Sequence, residues 1–133
     1  MSFATLYLLV RATHLIAAAV WVGGMITLAV LVVGLRRSGA PRETLQAAAR
    51  AFAHLSWTAM AVSVLTGLAQ IELLHVSWAY PNLHLKLGLV TASIVVALLH
   101  QVFAKRLSAR VRGMTNAILL VLAVAIIAAA VRL

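Results

Sequence analysis

FATLYLLVRATHLIAAAVWVGGMITLAVLVVGL, residues 3–35, is apolar throughout except for Arg11, His14 and a few small polar side chains. Spanning a bilayer's hydrocarbon core takes roughly 20 residues of helix. A removable secretory core has only roughly 7–15 apolar residues. The run exceeds both, so it is expected to be a transmembrane helix retained in the protein rather than a signal peptide. It is stopped by Arg36-Arg37-Ser38-Gly39-Ala40-Pro41, which combines headgroup-level cations, a glycine suited to closing a helix and a proline that cannot continue one.

Three further spans follow from the same reasoning. The second begins amphipathically at Arg42-Glu43 and turns apolar from about Ala51. Ser77-Trp78-Ala79-Tyr80-Pro81-Asn82 then sets aromatics at an interface and a Pro-Asn at a helix start. The third span ends in the basic run from Lys105 to Gly113, and the fourth is nearly pure Ala, Val, Ile and Leu. The expected spans are about 3–35, 43–75, 83–105 and 113–132, within one domain covering 1–133. Connections this short make consecutive helices antiparallel neighbours, which predicts an all-α integral membrane protein, an up-down four-helix transmembrane bundle.

Composition agrees. The chain is 65% hydrophobic and 10% charged, against about 25% charged in an average soluble domain. Its net charge of +9 comes from eleven Lys and Arg against two acids. These cations lie between apolar runs, as the positive-inside rule requires, so the partner they imply is the lipid bilayer and not nucleic acid. With no cysteine, disulfides, thiolate metal sites, iron–sulfur clusters and c-type haem attachment are excluded. Arg36, Arg37, Arg42 and Arg50 flank the first connection, and Lys105, Arg106, Arg110 and Arg112 the third, whereas the second has no Lys or Arg before Lys86. Connections one and three are therefore expected in the cytoplasm and both termini outside.

Ionisable groups at membrane depth cost roughly 2.5–3.5 kcal/mol even on lenient insertion scales, so they mark function. Counting from the connections puts His14, Glu72, His75, His84 and Lys86 toward the outer side, and His54 and His100 toward the cytoplasmic side. At 100° per residue, His14, Trp21, Met25 and Val32 share one stripe. His54, Thr58, Ala61, Leu65 and Glu72 share a second, and Lys86, Ser93 and His100 a third, with His84 almost opposite. The fourth span has only Thr115, Asn116 and Arg132 near its ends, and is expected to be a packing helix.

Two imidazoles on facing helices can ligate a haem iron axially. His54 and His100, matched in depth, are the expected inner ligands of a haem b, with His14 as an outer ligand. Lys86 and Arg11 are placed to neutralise propionates, and Trp21 to wall the pocket. Lys86 has the alternative of pairing with Glu72 or snorkelling to the headgroups. His75 and His84 flank a short connection, where an interfacial role serves equally. Ala17, Ala18, Ala19, Gly23 and Gly24 make room for a macrocycle, or equally let helices approach closely. Copper is the alternative, since imidazole and thioether donors suit Cu(I); its ligands would come from His14, His54, His100, Met25 and Met60. A third reading is a small accessory subunit whose polar residues serve helix contacts alone. No nucleophile–base–orienter set or phosphate loop is visible, so a hydrolase is not expected.

The segment His14-Leu-Ile-Ala-Ala-Ala-Val-Trp21-Val-Gly23-Gly24 resembles the first helix of CopD-type copper-resistance membrane domains, and Leu65-Thr66-Gly67-Leu68 is similar to their Thr-Gly element. Leu83-His84-Leu-Lys86-Leu-Gly-Leu-Val90, with His100 beyond, resembles HemJ, the haem-binding protoporphyrinogen oxidase family, where Arg11-Ala-Thr-His14 would replace a Lys-x-x-His. The resemblance spans nearly the whole chain and implies a four-helix protein of a bacterial plasma membrane, its outside the periplasm. It implies a haem-dependent oxidoreductase or copper uptake. Met25 to Arg36 lacks the Pro, aromatics and His of the HemJ motif, which leaves haem binding but puts porphyrinogen oxidation in question. Longer CopD-type proteins carry more helices, so copper transport by these four implies a homo-oligomer or a larger membrane complex.

Overall fold

A computed structural model describes residues 1–131; Arg132, noted above at the end of the fourth span, lies outside the described residues. The chain forms four α-helices, α1 Phe3–Arg37, α2 Arg42–Leu73, α3 Pro81–Phe103 and α4 Ala109–Val131, with no strand among the described residues. All four are long and apolar enough to cross a membrane. The chain is an all-α integral membrane protein, as its hydropathy predicts.

Helix ends follow local chemistry. Ser2 caps α1 by accepting from the Thr5 N–H at 3.2 Å. α4 starts at Ala109 rather than near 113 because Ser108 caps it: its hydroxyl accepts from the Val111 N–H at 3.3 Å. Arg110 and Arg112 therefore sit in the first turn of a helix, not in a loop. At 1.5 Å per residue the 23 residues of α3 or α4 extend about 35 Å, close to the roughly 30 Å hydrocarbon core. α1 and α2, with 35 and 32 residues, are about 50 Å long and must tilt or project.

α1 and α2 both close in Schellman turns. In the first, the N–H groups of Gly39 and Ala40 donate to the carbonyls of Arg36 and Leu35 at 3.1 and 3.0 Å, and Gly39 takes φ +76°. In the second, His75 and Val76 donate to Glu72 and Ile71 at 3.2 and 3.0 Å, and His75 takes φ 52°. A left-handed conformation costs an L-residue roughly 1–2 kcal/mol and glycine almost nothing. His75→Gly is thus expected to raise stability by about 1 kcal/mol in SDS-titrated unfolding followed by circular dichroism. A stability loss would show instead that the imidazole itself holds the turn.

The chain divides into two compact units, residues 1–76 and 77–133, each built on one helical hairpin. In the first, Ala17 and Trp21 of α1 and Ala59, Met60 and Ile71 of α2 are buried. His14, Ala17, Trp21 and Gly24 recur at intervals of three and four, so α1 presents them along one seam. Gly24 lets the helices approach there: a Cβ would lie 2.5 Å from Phe52 Cε2, so any side chain would force the Phe52 ring to move. In the second unit Leu83 and Ser93 of α3, with Leu119, Ala123 and Ala129 of α4, are buried. Ser93 and Ala123 are 0% exposed, small residues that let backbones approach where no hydrophobic effect drives association. Large apolar side chains such as Val30, Leu65, Val102 and Val121 remain exposed on both hairpins. In water so many would form an aggregating surface, whereas a membrane accommodates them.

Candidate functional site

In the first hairpin His14 reaches from α1 onto α2. Its Nδ1 lies 2.8 Å from the Ser63 carbonyl oxygen and 3.1 Å from Thr66 Oγ1. A carbonyl can only accept, so Nδ1 carries a ring proton, and in the neutral form of the ring the lone pair is on Nε2. Thr66 supports this assignment. Its hydroxyl donates to the Val62 carbonyl at 2.6 Å, leaving its oxygen to accept. The tautomer and ring orientation are thus fixed by backbone and a half-buried hydroxyl, the arrangement usual for a metal-ligating histidine. Gly67 makes it sterically feasible: a Cβ there would come within 3.3 Å of His14 Cε1 and 3.6 Å of Nδ1. Thr66 and Gly67, quoted above for a resemblance, are the residues that receive the ring.

Around His14 the expected companions separate. Trp21, two turns along the same seam, is buried, as is Met60 of α2, while Met25 is half-buried. Arg11 is exposed one turn from His14, its guanidinium donating to the Tyr7 hydroxyl at 3.3 Å. His54, Thr58, Ala61, Leu65 and Glu72 do share a face of α2, and all five are exposed, so that stripe turns away from α1. The Thr58 hydroxyl returns to the His54 carbonyl at 2.9 Å, an intrahelical bond. His75 and His84 are exposed.

In the second hairpin the stripe of Lys86, Ser93 and His100 turns toward α4. Lys86 and His100 are half-buried and Ser93 fully buried, its hydroxyl donating to the Leu89 carbonyl at 2.9 Å. His100 lines a cavity of about 300 Å³ with Val96, Leu99, Phe103, Leu107, Val111, Thr115 and Ile118. Its Nδ1 is buried with no hydrogen-bond partner among the described residues. Thr115 supplies the facing polar atom from α4; its hydroxyl donates to the Val111 carbonyl at 2.8 Å, which leaves the oxygen as an acceptor.

Sequence reasoning misses Ser63, which acts through its carbonyl and leaves no side-chain signal, and underrates Thr115. Counting both helices outward from their connection sets Arg112 level with His100 and Thr115 about one turn further along α4. No group of three or more His, Cys, Asp or Glu side chains converges among the described residues. No protein-family model, curated protein or solved structure matches this chain.

Proposed function

We propose that this membrane protein binds haem b, which His14 would hold by its imidazole, and serves electron transfer. The observation that carries the reading is the His14 Nδ1–H held on the Ser63 carbonyl at 2.8 Å, which makes Nε2 the ligating nitrogen. The donor set favours haem over a bare ion. Copper or zinc needs several protein donors at one point, whereas haem brings four ring nitrogens and asks for one or two imidazoles. Bound haem would supply one-electron chemistry, and the chain's own residues would set its position. Thr66 and Ser63 fix the imidazole, Gly67 leaves it room, Trp21 stiffens the seam below, and Arg11 offers a cation to a carboxylate at the exposed end.

The test is a haemin titration of the detergent-purified full chain, read in the visible spectrum. The wild type is expected to give a saturable Soret shift and a sharpened reduced spectrum. His14→Ala should lose both while keeping its helical circular dichroism, and should regain them with added imidazole; His84→Ala should behave as wild type. Haemin whose spectrum the wild type leaves unchanged, or His14→Ala binding normally, would overturn the reading. So would purified protein carrying copper and taking up no haem.

A further inference from the structure

The second hairpin has a charge imbalance that the haem reading does not use. Residues 77–133 contain no Asp or Glu; the chain's two acids are Glu43 and Glu72. Yet Lys105, Arg106, Arg110 and Arg112 fall within one turn-and-cap segment, the first three exposed and Arg112 half-buried. No carboxylate side chain of the hairpin can neutralise them. The Ser108-capped end of α4 adds outward-pointing backbone N–H groups to the same positive end.

The same segment also lines the cavity. Leu107 and Val111, interleaved with those cations, line one end of the 300 Å³ space, and Phe103, Leu99, Val96 and Ile118 continue its apolar wall along α3 and α4. The cavity therefore starts at a cationic rim and runs up between two membrane-spanning helices. His100, one turn from the end of α3, brings its unpartnered buried Nδ1 to the lining, and Thr115 of α4 brings a hydroxyl.

We infer that this cavity is a binding site for one anionic phospholipid. Its phosphate sits among Arg106, Arg110 and Arg112, an acyl chain lies along Val96, Leu99 and Ile118, and a glycerol-ester carbonyl accepts from His100 Nδ1. Charge complementarity selects the occupant: a soluble anion would leave the apolar wall uncovered, and a neutral lipid would leave the cations without a counter-ion. Basic residues at helix ends hold anionic headgroups in this way. The inference is independent of haem binding at His14, which lies in the other hairpin.

The experiment uses the full chain, purified in mild detergent and delipidated, then exposed to phosphatidylglycerol or phosphatidylcholine and measured by native mass spectrometry. One phosphatidylglycerol per chain is expected, preferred over phosphatidylcholine by about tenfold, the preference falling as salt rises. Arg106→Gln/Arg110→Gln/Arg112→Gln should lose the preference. Should that variant fail to insert, Ile118→Trp fills the cavity with every charge kept, and is expected to lose the bound lipid. Equal retention of the two lipids, an Ile118→Trp variant that binds as wild type, or displacement by inorganic phosphate alone would each overturn the inference, the last by showing that only the anion is recognised.

Discussion

Trp21→Ala is expected to destabilise the α1–α2 hairpin by about 3 kcal/mol. The indole is 7% exposed and lies in the seam with Ala17, Ala59 and Met60, all buried. In a water-soluble core such a truncation costs roughly 3–5 kcal/mol, part of it the transfer of apolar surface from water. Lipid tails are as apolar as a leucine side chain, so in a membrane the hydrophobic part of that transfer component largely disappears. What remains is the dispersion attraction forfeited across an unfilled cavity, which puts the effect at the low end of the range. The comparison is Leu65→Ala, which removes a side chain 67% exposed on the same hairpin and should change stability by less than about 0.5 kcal/mol. SDS-titrated unfolding measures both. Equal losses would mean that Trp21 does not sit in a helix–helix seam.

Adjacent glycines are expected to respond in opposite ways. A Cβ at Gly24 would meet the Phe52 ring at 2.5, 3.3 and 3.4 Å, whereas one at Gly23 meets nothing within 4 Å. Gly24→Leu forces a branched side chain into the crossing of α1 and α2 and should cost about 2 kcal/mol or more, as overpacking does. Gly23→Ala adds a methyl toward open space and removes a flexible residue from a helix interior, so it should stabilise by up to about 1 kcal/mol. The steric cause is checked with a second substitution: Phe52→Ala should recover part of the Gly24→Leu loss, a coupling of about 1 kcal/mol. Additive losses would place the damage somewhere other than the Phe52 ring.

The spans are legible in the sequence because lipid imposes one demand, that every backbone polar group be satisfied within its own helix, and the apolar runs that meet it are long. Faces are legible too. Helical periodicity puts His14 with Trp21 on one stripe and Ser93 with His100 on another, and both stripes turn inward within their hairpins. Which neighbour a stripe meets is not encoded in its own period. The His54 stripe of α2 is as regular as the others, yet it faces away from α1 because Ala59, Met60 and Ile71 take the seam instead. The His14 anchor is half visible: Thr66 and Gly67 stand out as a pair, but the Ser63 carbonyl belongs to no residue type. The role of His75 in closing α2 is hidden because left-handed helix ends usually announce themselves with glycine, as Gly39 does, and this one does not.

In the proposed haem site His14 acts as a pre-set ligand, its proton on Nδ1 and its lone pair on Nε2. Nitrogen-15 spectroscopy of histidine-labelled full chain in lipid nanodiscs tests it most directly, with the His14 signals identified by their absence from His14→Ala. Before haem is added, Nδ1 should show a bound proton and Nε2 the signature of a lone-pair nitrogen; adding haemin should shift or broaden Nε2 first. A proton found on Nε2, or haemin that leaves both His14 nitrogens unchanged, would contradict the account.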